Sequence, residues 1–445
     1  MTKLNTKSRS TARTHEGALA PKNLEPGRDP LRDLRRSVLS TMLWEDTFYE
    51  DGQTVADRIH ANAAKVDLRD ILNLAVEART QFKLRHAPLW LLIEAVRRGG
   101  DRQISDAIAA VIQRADELAE ILSMYWHVNG RGKTAKVPNQ LKLGIAKAFP
   151  KFDAYQLAKY NRDGDVKLRD ALFLSHAKPK DAEQAAVWKQ LVDGTLSAPD
   201  TWEVALSGGA DKRETFTRLL TEKKLGYMAL LRNLRNMSDT GVDQKLVEQA
   251  ILDRKGASRV LPFRFVTAVE HAPRYASALD KAMLASIDAL PELSGTTTVL
   301  VDVSASMTWG AVSKRSQLTR MQAAAALASM VKGESVRLFS FDTSVREHPH
   351  RLGMATVSAL SHVGGGGTAL GAAVHHVQKY APSDRLIVLT DEQSHDRVAE
   401  PARGTRSYMV NLASYEVGIG YGNWIRLNGF SEQILRWIMA YESEF

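Results

Sequence analysis

The chain has 445 residues, 44% hydrophobic and 25% charged, with no cysteine and a net charge of +9. This length exceeds one ordinary core and sets an expectation of about two or three domains. The missing cysteines exclude disulfides, thiolate zinc sites and cysteine nucleophiles, and no run near 18 apolar residues offers a membrane span.

The N-terminus lacks the apolar segment of a secretory signal, so a cytoplasmic location is expected. Residues 1–284 carry 46 Lys and Arg against 36 Asp and Glu, whereas residues 285–445 carry 14 against 15. Residues 131–180 alone hold 12 against 4. That local excess makes a polyanion partner as good a reading as a solvated lysine face.

Residues 1–30 are polar and basic and read as a flexible arm. An acidic, aromatic stretch, "WEDTFYEDG", follows at 44–52. From there to about 290 the pattern is helical. In 104–122, Ile104, Ile108, Val111, Ile112, Ala115, Leu118 and Leu122 recur at three and four residues with no Gly or Pro between them, which predicts one amphipathic helix. Segments 67–80, 89–98, 155–160, 225–237 and 243–252 behave likewise. Successive amphipathic helices on short connections suggest an α-solenoid of helix pairs, although no sequence repeat of fixed period is present.

Residues 130–181 interleave cations and aromatics. Arg131, Lys133, Lys136, Lys142, Lys147, Lys159, Arg162, Arg169, Lys178 and Lys180 are candidate phosphate contacts. Phe149, Phe152, Tyr155 and Tyr160 lie among them. Exposed aromatics would stack on unpaired bases, but core packing is the more ordinary role for these four.

Near 295 the pattern changes. "TTTVLVDV" (296–303), "SVRLFSF" (335–341), "RLIVLT" (385–390) and "RSYMVNL" (406–412) read as strands, alternating with helices at 317–331 and 369–380. Strands apolar on both faces, separated by helices, predict a doubly wound parallel sheet with its ligand at the strands' carboxyl ends. On that edge fall Asp302, Ser304 and Ser306 of "DVSAS", Thr368 after a glycine loop, and Asp391 after a strand. Their oxygens are hard ligands suited to Mg²⁺ or another divalent cation completed by water or an outside carboxylate. The ordinary alternative is that the serines cap a helix and Asp391 satisfies loop amides.

The "GGGGT" loop (364–368) lacks the Lys-Ser/Thr ending of a phosphate loop. The serines are not in a Gly-x-Ser-x-Gly elbow, and His375-His376 lacks partners at metal-ligand spacing.

Asp-x-Ser-x-Ser with a later Thr and Asp resembles the metal-ion-dependent adhesion site of von Willebrand factor A domains. That resemblance implies a bound cation and a carboxylate-bearing partner. A second resemblance runs from about residue 130 to the C-terminus. "GRGKTAK", "LKLGIAKAF", "LAKYN", "DALFLSHAKP", "MALLRNLRNM", "LPFRFVTAV" and "NGFSEQILRWI" are similar, in order, to landmarks of the Ro autoantigen family, whose ring is the TROVE module.

The Ro resemblance implies a mainly α plus α/β architecture: a flexible arm (1–30), a closed ring of HEAT-like helical repeats (31–290) and a von Willebrand factor A-like domain (291–445). It implies a non-catalytic RNA-binding protein. Structured, Y-like small RNA would bind the ring exterior, and single-stranded 3′ ends of misfolded RNA would enter a basic hole. The resemblance implies an exoribonuclease such as polynucleotide phosphorylase as protein partner; DNA is not expected, and a monomeric ring is. Lys159 and His176 fall on ring-lining landmarks, with Arg162 their neighbour; Asp163 stands where family members can carry a basic residue. Two rivals remain at this level: a protein-interaction scaffold with a metal-dependent adhesion domain, and an Mg²⁺-dependent phosphodiesterase, which would need more converging carboxylates than two.

Overall fold

In the computed structural model the described residues are 30–39, 52–100, 102–130, 135–260, 262–290, 292–312, 318–391, 394, 396–412, 423–428 and 433–443. All but one residue of the basic arm, nearly all of the acidic stretch at 44–52, and Arg131 and Lys133 lie outside them. The chain divides into two compact units, one ending at Asp200 and the other running from Thr201 to the C-terminus. Among the described residues no helix is long and apolar enough to cross a membrane.

The first unit contains α1 (Pro30–Leu39), α2 (Gly52–Ala63), α3 (Leu68–Thr80), α4 (His86–Arg98), α5 (Gln103–Val111), α6 (Asp116–Val128), α7 (Asn139–Ala148), α8 (Ala154–Tyr160), α9 (Leu168–Ser175) and α10 (Ala182–Asp193). Alternate helices pack on one another: α3 on α5, α5 on α7, α7 on α9, with α4 on α6 beside them. This two-row stacking is that of a helix-pair solenoid, in which each pair leaves an apolar face for the next. At the α5–α7 crossing a Cβ on Gly144 would lie 2.5 Å from Ile108 Cβ, so a side chain there would push the rows apart.

The single helix expected over 104–122 is two helices. Buried Arg79 donates from Nε to Val111 O (2.9 Å) and from its terminal nitrogen to both oxygens of Glu117 (2.5 and 2.8 Å). Glu117 in turn accepts the backbone N–H groups of Gln113 (2.9 Å) and Arg114 (3.1 Å). The ion pair thus takes the amides and carbonyl that would carry the helix through 112–115, and the 3.6-residue periodicity survives across the corner.

The second unit begins with α11 (Trp202–Ser207), α12 (Lys212–Thr221), α13 (Tyr227–Asp239), α14 (Gln244–Asp253), α15 (Phe263–His271) and α16 (Ala276–Asp288). The same alternation recurs, α12 on α14 on α16 with α13 on α15. The chain then alternates strand and helix: β1 (Leu293–Asp302), α17 (Ala305–Trp309), α18 (Arg320–Ala328), β2 (Gly333–Phe341), β3 (Val345–His348), α19 (Met354–Ser361), α20 (Leu370–Tyr380), β4 (Arg385–Thr390), β5 (Arg406–Asn411), β6 (Ile425–Asn428) and α21 (Gln433–Ser443).

Sheet order is β3-β2-β1-β4-β5-β6. All pairs are parallel except β2–β3, so the sheet carries one antiparallel edge that a purely parallel reading does not contain. The reason is chain length: Phe341 to Val345 leaves a tight hairpin and no room for a crossover helix. β1 is central, and its end pairs Asp302 with Phe341 while Val301 faces Leu389. The order reverses beside β1, which makes its carboxyl end the switch-point crevice.

Candidate functional site

Two clusters fall where the charge and oxygen patterns point. At the sheet edge, Val299, Leu300 and Val301 are fully buried and carry Asp302 to the end of β1, itself 0% exposed. Its Oδ1 accepts the Ser304 N–H (2.9 Å) and its Oδ2 accepts the Thr390 hydroxyl (2.7 Å). Ser304 precedes α17 without a side-chain cap bond, and its Oγ lies 3.2 Å from Ser306 Oγ. The serine hydroxyls therefore converge on each other rather than capping the helix.

The glycine loop is stitched to this turn. Ala305 N–H donates to Gly366 O (3.0 Å) and Gly365 N–H to Val303 O (2.8 Å). Gly364 has φ +92°, and a Cβ there would come within 2.1 Å of Val303 O, so only glycine admits the approach. The loop delivers Thr368, buried, just before α20. Asp396 accepts the Gly371 and Ala372 N–H groups at the start of α20 (both 2.8 Å), so a side-chain carboxylate already sits where a phosphate loop would hold its anion.

Asp391 follows β4, is fully buried, and pairs with Arg320 through Nη1–Oδ2 at 3.0 Å. Burial pushes the Asp302 carboxyl up to about 7, and the nearby Asp391 charge adds to the rise while bonds from Ser304 and Thr390 oppose it. Two buried carboxylates within electrostatic reach, beside converging hydroxyls, form a donor set that fits a hard cation. Among the described residues no group of three or more His, Asp or Glu could hold a metal, so any coordination here leans on hydroxyls and outside ligands. Thr390 and Arg320 were not legible as participants: Thr390 reads as the last strand residue, and Arg320 lies 18 positions beyond Asp302 with no local motif.

The described basic candidates lie in the first unit. A basin of about 260 Å³ opens between the α8–α9 loop and the end of α10, lined by Asn161, Arg162, Asp163, Lys167, Arg169 and Gly194. Arg162 and Arg169 are exposed, and among the described residues neither forms an ion pair. Asp163 is not an unopposed acid: Lys167 bonds it at 2.8 Å and holds its carboxyl below the usual range.

Among the described residues the other candidates do not line the basin. Lys147 bonds Asp106 (2.6 Å) and Ser105 (2.9 Å). Lys142 is half-buried, and Lys136, Lys178 and Lys180 are exposed, the last 3.9 Å from Asp181. His176 is exposed and closes α9 in the left-handed region (φ 54°), which removes the core-histidine reading. The aromatics divide: Phe149 and Phe152 are core, whereas Tyr155 is 42% exposed. The Lys159 ammonium lies 5.6 Å from the Tyr155 ring centroid and 5.9 Å from that of Tyr160, and the Arg114 guanidinium is 4.7 Å from the latter.

A TROVE domain model matches residues 188–273, and a VWA-like domain (DUF2201) model matches residues 297–428. The chain is 40% identical to telomerase protein component 1 of Mus musculus over 78 residues and 37% identical to that of Rattus norvegicus over 84 residues. These matches cover 16% and 18% of this chain, and the chain spans only 3% of either relative's length. The structure is similar to the RO (RSR) protein of Deinococcus radiodurans, with a TM-score of 0.64 and 20% identity, covering 93% of this chain and 99% of that one. The protein thus carries a TROVE domain followed by a C-terminal VWA-like domain, on the fold of a Ro protein.

Proposed function

We propose that this protein is a non-catalytic RNA-binding protein of the Ro type. The observation that carries the reading is the basin at the α8–α9 loop, where Arg162, Lys167 and Arg169 converge, just after α8 with its cation-flanked rings of exposed Tyr155 and half-buried Tyr160. Guanidinium and ammonium groups neutralise phosphates without reading sequence, and the tyrosines can stack on unpaired bases. The TROVE match and the Ro-like fold support the same assignment. On this reading a monomeric helical ring takes single-stranded 3′ ends of misfolded RNA and binds a structured Y-like RNA on its exterior. A cytoplasmic role in RNA quality control follows, with an exoribonuclease as the class of protein partner.

Asp302, Ser304, Ser306, Thr368 and Asp391 would hold Mg²⁺ or a similar ion, which when bound would supply a coordination position for an outside carboxylate. With two carboxylates rather than several, the cluster supports docking better than phosphodiester hydrolysis. Trp309, 87% exposed at the end of α17, favours a protein as what docks on this unit.

The test is fluorescence anisotropy with a hairpin RNA carrying a single-stranded 3′ tail, beside the same hairpin with blunt ends. Tail-dependent binding that weakens with salt is expected. Equal, salt-insensitive binding of both RNAs, or purified protein free of copurifying nucleic acid with no RNA affinity, would leave the scaffold reading in its place.

A further inference from the structure

Arg320 is the buried group that the cation-site reading does not use. Its backbone is fixed from both sides. Thr319 opens α18 with a reciprocal cap, its Oγ1 accepting the Gln322 N–H (3.1 Å) while Gln322 Oε1 accepts the Thr319 N–H (2.9 Å). Arg320 N–H itself donates to Gly310 O (2.8 Å). Room for the side chain is made by Gly310, where a Cβ would stand 2.6 Å from the guanidinium carbon and 2.7 Å from Nε. Its φ of −86° is ordinary, so glycine is required here by space: the same Cβ would also stand 2.7 Å from Ser306 O. The side chain, 4% exposed, then reaches Asp391, 0% exposed, at 3.0 Å.

We infer that Arg320 is a resident cation that makes divalent-ion binding at this cluster depend on an anionic ligand. The inference rests on the cation-site reading and follows from charge. Among the described residues, Asp302 and Asp391 bring two negative charges into a buried crevice and Arg320 offsets one. Asp342, just past the end of the neighbouring strand, accepts the Ser344 N–H (3.0 Å) and hydroxyl (3.2 Å), and the positive charge of Arg346 opposes its own. A divalent ion entering alone would leave one uncompensated positive charge away from water, which is costly. One carboxylate from a docking partner restores neutrality. Without the guanidinium, two carboxylates and a divalent ion would already balance, and the ion would bind unaided. Arg320 thus acts through Asp391 as a positioning and charge-setting residue that couples ion binding to partner binding, and by reciprocity the partner's affinity depends on the ion to the same extent.

The test titrates Mn²⁺, a hard-oxygen substitute for Mg²⁺, into the full chain, following free ion by electron paramagnetic resonance with and without acetate. In the wild type acetate should tighten Mn²⁺ binding about tenfold, an ordinary size for a coupling between sites. In Arg320→Gln, Mn²⁺ should bind about tenfold more tightly without acetate and the acetate effect should shrink below about threefold. Arg320→Lys, which keeps the charge, should restore much of the acetate effect, an outcome that a purely structural role for the arginine would not give. Equal Mn²⁺ affinity and equal acetate response in the wild type and Arg320→Gln, with both folded by circular dichroism, overturns the inference. If neither the wild type nor Arg320→Gln binds Mn²⁺ better than Asp302→Ala, the cation site falls and this proposal with it, while the RNA reading stands.

Discussion

The basic surface around α8–α10 and the oxygen cluster at the strand ends use charge in opposite ways. Arg162 and Arg169 stand in water, so their field is weak at any one contact and works by number and reach. Asp302 and Asp391 are fully buried, so each interaction is strong, short-ranged and dependent on a partner. The first arrangement suits a polyanion recognised without sequence. The second, on the reading proposed above, suits one ion and one ligand.

The largest expected effect is at the buried end of this contrast. Asp302→Ala should weaken Mn²⁺ binding roughly a hundredfold or more and leave RNA affinity unchanged, measured by titration and anisotropy on the same preparation. Loss of RNA affinity in that variant would merge the two sites and end the comparison.

A second buried charge gauges what burial alone costs. Glu442 accepts from Arg385 Nε (2.7 Å) and from the Tyr408 hydroxyl (2.7 Å). Glu442→Gln should destabilise the protein by roughly 3 kcal/mol in a chemical melt, because Arg385 is left buried with its charge uncompensated. Burial pushes the Glu442 carboxyl up, but the bonds from Arg385 and Tyr408 outweigh it and hold the group below its ordinary range. A carboxyl lowered by folding contributes stability above its unfolded value and loses it as pH falls through the folded one. The wild type should therefore lose stability below about pH 4.5 more steeply than Glu442→Gln.

At the exposed end, Arg162→Glu with Arg169→Glu should reduce RNA affinity on the order of tenfold at moderate salt. It should also flatten the log–log salt slope by about 1.4, two single-strand phosphate contacts. A large affinity loss with an unchanged slope would mean that the basin is deformed rather than discharged. The smallest effect belongs to the exposed pair Lys147–Asp106. Lys147→Ala should change stability by less than about 1 kcal/mol, and any RNA effect should be limited to one phosphate contact.

Much of this was readable before the fold. Asp302, Ser304, Ser306, Thr368 and Asp391 were legible as candidates because they end or closely follow a strand or a glycine loop, and the edge of a parallel sheet collects such ends. The helix pairs were legible from periodicity, as was the ordinary role of Phe149 and Phe152 in the core. The break at 112–115 was not, because its cause, Arg79, lies more than 30 residues away. Nor were the two short strands β3 and β6, which have too few residues for a pattern.

By itself the sequence determined what depends on neighbours along the chain: helix and strand periods, the glycine loop, the local charge of 131–180 and the order of the candidate oxygen donors. Tertiary structure decided what depends on distance through space. It set Tyr155 in solvent beside Lys159, paired Lys167 with Asp163, and brought Arg320 past Gly310 to Asp391. The reason is physical. A residue's type fixes the charge it can carry, but burial and its partners across the fold fix how strongly that charge acts.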